Sequence, residues 1–391
     1  MNNTPRKWLF ITHDFPPNTT GGMTSYYWGL TRHLPPESVV VLTVSAPGSR
    51  EIDARCAFPV YRSFLSGNQV KLFAATIFMI VKALRIIRKE RITMLHCGNM
   101  RPYGYVCAAL HAITGVPYLV YFFGNDFMRM RDKMRASAIK RALFGGIVRR
   151  AAAVVGCSAF TRDLAAETPG VPASRALICF PGVDAEFLEP HAAAPAISPN
   201  RPLRLITVGR LTPRKGVDRV IEAVGVLARQ GHRIDYMVVG KGAIDRYQAL
   251  AREYGVEAAV RFAGYVADVR EMIRLVLEAD IFIMVSRSEK EGRDVEGFGI
   301  VYLEAAALMR PCIAGKSGGA ADAVVHGRTG LLVDDPDSAQ QIADAIRYFI
   351  EHPEKAAEFG MEGRRRAAAE FNWETIAARL CGDLRKIREN A

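Results

Sequence analysis

The feature that most constrains the fold is an alternation of short apolar runs with helical segments, repeated in two series along the chain. The first series predicts strands at 8–12, 39–44, 93–97, 118–122, 153–157 and 176–179, and the second at 203–208, 236–239, 260–262, 281–285, 311–314 and 330–333. Runs this short that are apolar throughout are typical of strands buried on both faces. Strands that alternate with helices build parallel sheets covered by helices. The chain is therefore predicted to be an α/β protein.

The length of 391 residues exceeds what one hydrophobic core usually supports, so two domains are expected. Residues 186–202 are rich in proline and alanine and show no clear periodicity, which is typical of a linker. We predict a Rossmann-like domain over 1–187, a linker over 188–202 and a second Rossmann-like domain over 203–370. Residues 371–391 form an amphipathic C-terminal helix in this interpretation.

Composition indicates the compartment and the kind of partner. The seven cysteines are scattered and contain no Cys-x-x-Cys pair, which favours reduced thiols in the cytoplasm over disulfides or a zinc site. The start of the chain shows no export signal. The net charge of +12 predicts an acidic partner surface, either nucleic acid or anionic lipid. No recognised nucleic-acid-binding motif accompanies the charge, so nucleic acid is not expected as a partner.

Two N-terminal segments concentrate the positive charge. Residues 70–92 combine a short apolar run with six Lys or Arg, and residues 127–150 carry eight Lys or Arg against the single acid Asp132. The apolar run is shorter than the roughly 20 residues that a membrane span needs. Basic amphipathic segments bind anionic membrane surfaces, which predicts a peripheral protein at the inner face of the cell membrane. The alternative is that 70–92 buries its apolar face in the domain core.

The clearest chemical signal lies at 294–305, which reads Asp-Val-Glu-Gly-Phe-Gly-Ile-Val-Tyr-Leu-Glu-Ala. Its glycines predict a loop that turns into a helix, with Glu296 in the loop and Glu304 about one turn inside the helix. The free N–H groups of a helix start favour an anion. Carboxylates there can accept hydrogen bonds from sugar hydroxyls, as a nucleotide sugar would require. The alternative is an ordinary helix start with solvated glutamates.

Glycine and basic residues accompany this segment on both sides. Residues 209–216 read Gly-Arg-Leu-Thr-Pro-Arg-Lys-Gly directly after a predicted strand, and Ser317-Gly318-Gly319 follow another. Fixed cations can neutralise the negative charge that develops on a departing phosphate. Arg210 and Lys215 are the candidates, and Arg214 is not excluded. Gly21 and Gly22 lie between the first predicted strand and a helix at 23–33, where loop amides can contact a phosphate.

Taken in order, these segments resemble the donor site of retaining glycosyltransferases of family 4, and the resemblance covers nearly the whole chain. It implies the GT-B fold, with two Rossmann-like domains facing a central cleft and a C-terminal helix crossing back to the first domain. The domain over 1–187 would bind the acceptor, and the domain over 203–370 would bind the nucleotide sugar. It also implies a GDP- or UDP-hexose donor as co-substrate, without a metal ion or another cofactor.

The resemblance assigns roles to individual residues. Arg210 and Lys215 would bind the donor diphosphate, Glu304 the ribose hydroxyls, and Glu296 the transferred sugar, so Glu296, Arg210 and Lys215 are the expected catalytic residues. The donor-binding set is expected to be Gly21, Gly22, Gly209, Arg210, Lys215, Glu296, Gly297, Phe298, Gly299, Ile300, Glu304, Gly318 and Gly319. The departing phosphate would help to deprotonate the acceptor on the same face of the sugar, with retention of configuration.

One position departs from the family pattern. Many members carry His-Gly-x-Asp or His-Gly-x-Glu after a strand of the first domain, where this chain reads Phe123-Gly124-Asn125-Asp126. Phenylalanine cannot hydrogen-bond to a sugar hydroxyl or transfer a proton. His13, Asn125 and Asp126 are the candidates to contact the sugar or the acceptor instead. The alternative is that the site accepts a sugar with a different hydroxyl pattern.

The predicted function is transfer of a hexose to a lipid-linked or surface-polysaccharide acceptor. The form of segment 294–305 looks most like that of GDP-mannose-dependent mannosyltransferases, including those that act on phosphatidylinositol mannosides. Two alternatives remain open at this point. One is a transferase with a small soluble acceptor, of the sucrose, trehalose, thiol or inositol type. The other is a catalytically silent subunit that binds a nucleotide or glycan.

Overall fold

The computed structural model describes residues 6–19, 21–63, 69–168, 171–191, 197–289 and 294–389, without the side chains of 69–73, 388 and 389. It divides into two compact units. The first comprises Met1–Gly182 and Trp373–Ala391, and the second comprises Val183–Asn372. Part of the predicted linker, 192–196, lies outside the described residues.

The first unit is built on a parallel sheet. Its strands are β1 (Trp8–Ile11), β2 (Val39–Val44), β3 (Val60–Ser63), β4 (Met94–Cys97), β5 (Tyr118–Phe122), β6 (Ala153–Gly156) and β7 (Ala176–Ile178), in the order β3-β2-β1-β4-β5-β6-β7. The helices are α1 (Gly22–His33), α2 (Ser49–Ala54), α3 (Gln69–Glu90), α4 (Tyr105–Thr114), α5 (Asn125–Ala136), α6 (Ala138–Arg150) and α7 (Ala159–Ala166). Every residue of β1, β2, β4, β5 and β6 is buried, which explains their continuously apolar sequences.

The second unit repeats this design with its own parallel sheet. Its strands are β8 (Leu203–Val208), β9 (Ile234–Val239), β10 (Val260–Gly264), β11 (Ile281–Met284), β12 (Cys312–Gly315) and β13 (Gly330–Val333), in the order β10-β9-β8-β11-β12-β13. The helices are α8 (Ala185–Leu188), α9 (Val217–Arg229), α10 (Ile244–Glu253), α11 (Val269–Glu278), α12 (Ile300–Ala307), α13 (Ala320–Ala323), α14 (Ala339–Glu351) and α15 (Pro353–Glu370). The predicted α/β class with two parallel sheets is confirmed.

Each sheet reverses its winding direction beside its first strand. In the first unit the reversal lies between β1 and β4, and in the second it lies between β8 and β11. Loops that leave adjacent strands at such a point diverge to opposite sides, so the carboxyl edge of the sheet opens there into a crevice. Candidate functional residues are therefore expected after β1, β4, β8 and β11.

The C-terminal helix α16 (Trp373–Glu389) belongs to the first unit, as predicted. Its first residue, Trp373, is 2% exposed and meets two glycines. A Cβ atom on Gly29 would lie 2.0 Å from the Trp373 ring, and one on Gly182 would lie 2.5 Å from it. Both positions therefore require glycine for the helix to pack, because such contacts are far below van der Waals distance.

The amphipathic segment α3 has two apolar faces. Met79, Ala83 and Ile86 are buried in the unit, whereas Phe78 is 54% exposed and Ile77 is 48% exposed. The core-packing alternative therefore accounts for only one face of this helix. Leu72 and Phe73, part of the predicted apolar run, lie outside the described side chains. None of the described helices combines the length and apolar character that crossing a bilayer requires.

Candidate active site

A buried ion-pair cluster forms beside the sheet reversal of the second unit. Glu296 is 8% exposed, and its Oε2 accepts hydrogen bonds from Lys215 Nζ at 2.6 Å and from Arg214 Nη1 at 2.6 Å. Ser286 Oγ donates to the same oxygen at 3.1 Å. Asp294 Oδ1 lies 2.9 Å from Arg214 Nε. Three donors thus converge on one carboxylate oxygen of Glu296. The family resemblance assigns this residue to the transferred sugar.

Local backbone geometry brings the two cations to this place. A short 3₁₀ turn, Pro213–Lys215, follows the end of β8 and closes on Gly216, whose φ is +72°. A Cβ atom on Gly216 would lie 2.3 Å from the Val285 carbonyl oxygen, just after β11. Only glycine permits both this backbone angle and this approach. Helix α9 begins at the next residue, so the cations are fixed between β8 and α9.

A second arginine anchors the loop after β11. Arg287 is 7% exposed and donates from Nη1 and Nη2 to the two carboxylate oxygens of Asp218, at 3.0 and 2.9 Å. Its Nε donates to Glu289 at 2.7 Å, and its backbone N–H donates to the Arg214 carbonyl at 2.9 Å. Because Asp218 lies in the first turn of α9, this network ties the helix start to the loop that carries Ser286. Sequence reasoning did not identify it, since its members lie in separate segments.

The charges of the cluster shift the ionisation of its members. Burial raises the pKa of Glu296, but the neighbouring Lys215 and Arg214 outweigh burial and bring that pKa down to about 2. Burial lowers the pKa of Lys215 and outweighs the opposing effect of Glu296. Glu296 is therefore ionised at neutral pH, which lets it accept hydrogen bonds from sugar hydroxyls or stabilise positive charge.

The glycine loop after β12 rests on the backbone of Glu296. Gly319 N–H donates to the Glu296 carbonyl at 2.9 Å. Gly318 has a φ of +57°, and a Cβ atom there would lie 2.1 Å from the same carbonyl oxygen. The structure therefore brings predicted residues from two distant segments into direct contact. Glycine at 318 is required by the backbone angle and by the close approach together.

Helix α12 starts where the sequence predicted, with Gly299 as its N-terminal cap and Ile300 as its first residue. Gly299 has a φ of +90°, Gly297 precedes the cap, and Phe298 is 3% exposed. Glu304 is half-buried and, within the described ranges, its carboxyl group has no hydrogen-bond partner. Burial, followed by the charge of Asp184, raises the pKa of Glu304 to about 7. The two glutamates thus differ in charge state near neutral pH.

Arg210 and Gly209 lie at the solvent-facing end of β8. Arg210 is exposed, and its charge contributes to lowering the pKa of Lys215. The strand end packs tightly against the next loop, since a Cβ atom on Gly240 would lie 1.7 Å from the Gly209 carbonyl oxygen. The structure therefore leaves Arg210 accessible near the buried cations. Of the basic residues in this motif, Arg214 and Lys215 contact Glu296 directly.

The sheet reversal of the first unit carries a different polar cluster. Thr12 Oγ donates to Asn99 Oδ1 at 3.0 Å, and Asn99 Nδ2 donates to Asp14 Oδ2 at 2.8 Å. His13 Nε2 lies 3.6 Å from Asp14, and its ring stacks on Tyr103 with centroids 5.7 Å apart. Both His13 Nδ1 and the Tyr103 hydroxyl are buried without a hydrogen-bond partner among the described residues. Sequence reasoning identified His13 but not Asn99 or Tyr103.

The segment that departs from the family pattern lies at the end of β5. Asp126 Oδ1 accepts hydrogen bonds from the backbone N–H groups of Phe123 and Phe127, both at 2.9 Å. Its Oδ2 is buried and has no partner in the described parts of the chain. Burial raises the pKa of Asp126 to about 6, against the opposing effect of these backbone donors. Asn125 is the first residue of α5.

The remaining predicted residues of the first unit are glycines. Gly21, with a φ of +120°, caps α1, and Gly22 is the first residue of that helix. A Cβ atom on Gly21 would have no neighbour within 4 Å among the described atoms, so the backbone angle alone accounts for glycine there. No group of three or more His, Cys, Asp or Glu side chains is placed to hold a metal ion in the described ranges.

Comparison with known families covers both units. The family model for group 1 glycosyl transferases matches residues 193–366, and the model for glycosyltransferase family 4 matches residues 20–187. The chain is 32% identical over 387 residues to a GDP-mannose-dependent alpha-(1-6)-phosphatidylinositol monomannoside mannosyltransferase of Mycobacterium tuberculosis, covering 96% of this chain and 97% of the relative. It is 31% identical to the enzyme of the same description from Mycolicibacterium smegmatis, covering 97% and 99%.

Solved structures show the same fold. The crystal structure of Anabaena HepE in complex with UDP matches with a TM-score of 0.77 and 19% identity, over 97% of this chain and all of that one. Sucrose-phosphate synthase from Thermosynechococcus elongatus matches with a TM-score of 0.76 and 21% identity, over 99% of this chain. The sequence relatives of nearly full length show the family, and the structural neighbours show the fold. The chain belongs to glycosyltransferase family 4 and has the GT-B fold.

Proposed function

We propose that the protein transfers mannose from GDP-mannose to a lipid-linked glycan acceptor, with retention of configuration and without a metal ion. The buried cluster of Glu296 with Lys215 and Arg214 carries this proposal. It gives the carboxyl edge of the second sheet a fixed negative charge beside fixed positive charges. A nucleotide-diphosphate sugar needs both, because its hydroxyls require acceptors and its phosphates require cations.

GDP is favoured as the donor nucleotide because relatives at 31–32% identity over nearly the full chain are GDP-mannose-dependent mannosyltransferases. The same relatives act on a phosphatidylinositol mannoside, which supports a lipid-linked acceptor. An acceptor of this kind also suits the first unit, where exposed apolar residues of α3 and α6 accompany a strongly basic composition. We place the protein at the cytoplasmic face of the membrane on these grounds.

In the proposed mechanism, Arg210 and Lys215 hold the diphosphate and neutralise the charge that develops as it leaves. An ammonium group has three donors, so Lys215 can keep its bond to Glu296 while it contacts a phosphate oxygen. Glu296 accepts hydroxyls of the transferred mannose, and Glu304 accepts the ribose hydroxyls. The leaving phosphate takes the acceptor proton on the same face, which gives retention.

The direct test offers GDP-mannose, GDP-glucose, UDP-glucose and UDP-galactose to the purified protein in turn, with lipid extract as acceptor and with EDTA present. We expect mannolipid formation from GDP-mannose alone, with an α linkage by NMR. Activity that requires added Mg²⁺ or Mn²⁺ would contradict metal independence, and a β linkage would contradict retention. GDP binding without any transfer or hydrolysis would instead favour the silent-subunit alternative.

A further inference from the structure

The loop after β11 contacts three other segments of the candidate site through consecutive residues. Ser286 Oγ donates to Glu296 Oε2 at 3.1 Å. Ser288 Oγ lies 3.1 Å from a serine hydroxyl of the glycine loop after β12. Between them, the backbone N–H of Arg287 donates to the Arg214 carbonyl at 2.9 Å. Any shift of this loop would therefore be transmitted to Glu296 and to one of the cations that bind it.

The side chain of Arg287 holds this loop against the start of α9. It is 7% exposed, and its Nη1 and Nη2 donate to the two carboxylate oxygens of Asp218 at 3.0 and 2.9 Å. Its Nε donates to Glu289 at 2.7 Å. A paired contact of guanidinium with carboxylate fixes the relative orientation of its partners as well as their distance. The loop is thereby fixed relative to α9, which begins two residues after Lys215.

A second series of contacts leads from Arg287 to Glu296. The backbone N–H of Glu289 donates to the Asp294 carbonyl at 3.0 Å, and that of Asp294 donates to the Glu289 carbonyl at 3.2 Å. Asp294 Oδ1 in turn lies 2.9 Å from Arg214 Nε. Arg214 donates to Glu296 at 2.6 Å. Arg287 is therefore linked to the Glu296 carboxylate by two routes, one through its own backbone and one through Glu289 and Asp294.

The charge of Arg287 is neutralised within the protein. Its guanidinium pairs with Asp218 and Glu289, and Asp337 lies 3.4 Å from its Nε. A cation surrounded by three carboxylates contributes little positive potential for the phosphates of a bound donor. An effect of Arg287 on the reaction would therefore pass through the residues that it holds in place.

We propose that Arg287 is a positioning residue for the transfer reaction, because it fixes the loop after β11 and thereby the Glu296 carboxylate. This inference rests on the proposed function, since it takes Glu296 to contact the transferred sugar. Displacement of a reacting group by about 1 Å can cost about 100-fold in rate. Lys215 binds phosphate as a point charge on a flexible stem, so it tolerates a small shift. Loss of Arg287 should lower kcat more than it weakens donor binding.

A matched ion pair lies at the opposite end of the same two strands. Arg201, just before β8, donates from Nη1 and Nη2 to the two carboxylate oxygens of Asp280, at 2.6 and 2.8 Å. Asp280 directly precedes β11. The Arg201 pair therefore lies at the amino edge of the sheet, whereas the Arg287 pair lies at the carboxyl edge beside the candidate site. This makes Arg201→Gln the matched control.

The first experiment measures steady-state mannose transfer and thermal unfolding of the variants. We expect Arg287→Gln to lose kcat by about 10- to 100-fold, with KM for GDP-mannose within about threefold of the wild type. Arg287→Lys keeps the charge without the paired geometry, so it should fold and lose kcat by a smaller factor. Arg201→Gln should lower the melting temperature and leave kcat unchanged. Equal kcat losses in Arg287→Gln and Arg201→Gln, or unchanged kcat in both, would overturn the proposal.

A second experiment measures the coupling between Arg287 and Glu296 without turnover. Urea unfolding compares the shift in midpoint caused by Glu296→Gln in three backgrounds: the wild type, Arg287→Gln and Arg201→Gln. We expect a smaller shift in the Arg287→Gln background, because Glu296 is already displaced there, and an unchanged shift in the Arg201→Gln background. Equal shifts in all three would show that Arg287 does not position Glu296. Coupling in a protein that transfers no mannose would refute the proposed function while confirming that Arg287 positions Glu296.

Discussion

Polar clusters lie at both sheet reversals of this molecule, and they differ in whether their buried groups have hydrogen-bond partners. In the second unit, Glu296 Oε2 receives three hydrogen bonds from Lys215, Arg214 and Ser286. In the first unit, His13 Nδ1 and the Tyr103 hydroxyl are buried without partners among the described residues. The same architectural position therefore carries a carboxylate oxygen with three donors in one unit and two polar groups without partners in the other. Arg214 Nε, which also has no hydrogen-bond partner among the described residues, faces the opposite charge of Asp294 at 2.9 Å.

The difference indicates two modes of ligand recognition. A carboxylate held by several donors is preorganised, so it can stabilise charge at the moment of reaction without rearranging. An incomplete network leaves buried polar groups desolvated, which costs stability until a ligand supplies the missing partners. We interpret the second unit's cluster as electrostatic machinery for the donor and the first unit's cluster as a site completed by the acceptor.

The largest effect is expected from Glu296→Gln. The substitution keeps the shape of the side chain but leaves Lys215 buried without its counter-charge and Arg214 paired with Asp294 alone. Breaking a buried pair in this way lowers the free energy of unfolding by about 3–5 kcal/mol. Mannose transfer should fall by about 100-fold or more, since a preorganised charge is lost. Urea unfolding and initial rates with GDP-mannose measure the two effects.

The difference in stability between the wild type and Glu296→Gln should depend on pH, and the pKa of Glu296 gives its direction. Because the folded pKa of Glu296 is about 2, below its ordinary value of 4.5, the ionised group stabilises the protein above pH 4.5. That contribution disappears as the pH falls towards 2, so the wild type and the variant should converge in acid. Glu222→Gln is the matched control, because its pair with Arg219 lies at the surface and should change stability by under about 1 kcal/mol. Equal losses in the two variants would contradict a special role for Glu296.

The next effect concerns the glycine loop that supports Glu296. Gly318→Ala and Gly327→Ala both place alanine at a positive φ, of +57° and +72°. Only the first would also drive a Cβ atom to 2.1 Å from the Glu296 carbonyl oxygen, since Gly327 has open space. We expect a loss of about 1–2 kcal/mol for Gly327→Ala, with normal activity.

Gly318→Ala should lose about 3 kcal/mol or more and most of its transfer activity, because overpacking adds to the backbone strain. Thermal unfolding and transfer rates of the two variants, measured side by side, separate the contact from the backbone angle. Similar stability and activity in both would show that the loop does not position Glu296.

A smaller effect is expected from Glu304→Gln, and it should depend on pH. The folded pKa of Glu304 is about 7, above its ordinary value of 4.5, so the folded protein holds an extra proton between these values. Ionisation therefore destabilises the wild type as the pH rises from 5 to 8. The Gln variant avoids this and should be more stable than the wild type by about 1–2 kcal/mol at pH 8, with little difference at pH 5.

Denaturant unfolding at both pH values measures this difference, with the exposed Glu351→Gln as control. Deprotonation of Glu304 should also strengthen GDP binding by the wild type as the pH rises through 7, if its carboxylate accepts the ribose hydroxyls. A pH-independent difference in stability between the Gln variant and the wild type would mean that Glu304 is charged throughout the range.

Sequence patterns predicted the fold because most of its strands are buried on both faces. Such strands are continuously apolar, as in β2 and β5, and their boundaries agree with the structure. The strand β3 was missed because it lies at the sheet edge and is only half-buried, so its sequence, Val-Tyr-Arg-Ser, lacks an apolar run. Predicted bounds shifted by one residue at β12, which begins at Cys312 and ends at Gly315.

The site was predictable where its residues share a short motif. Lys215, Glu296 and Gly318 were identified from short motifs and their resemblance to a family pattern, and the structure brings them together. Arg214 was left open because sequence shows only that two adjacent residues are basic, whereas their side-chain directions depend on the turn at Gly216. Tyr103 gave no signal, since a single tyrosine outside any motif does not indicate a site. His96, in β4, likewise lies in the core, and burial lowers its pKa to about 3.

The smallest expected change in stability tests the difference between the two clusters most directly. Tyr103→Phe removes a buried hydroxyl that has no partner among the described residues, so it should stabilise the free protein by up to about 1 kcal/mol. Tyr27→Phe is the matched control in the same unit. Its fully buried hydroxyl donates to the Gly98 carbonyl at 2.8 Å, and its loss should destabilise by about 1 kcal/mol.

If the acceptor completes the cluster, Tyr103→Phe should impair use of the acceptor even though it stabilises the free protein. Tyr103→Phe would then raise KM for the lipid acceptor while leaving KM for GDP-mannose unchanged, because the hydroxyl is needed only when acceptor binds. Chemical unfolding of the free protein and steady-state rates at varied acceptor concentration test the two halves. If Tyr103→Phe destabilises as much as Tyr27→Phe and acceptor KM is unchanged, the hydroxyl already has a partner. The first unit's cluster would then be as complete as that around Glu296, and the contrast between the two sheet reversals would fail.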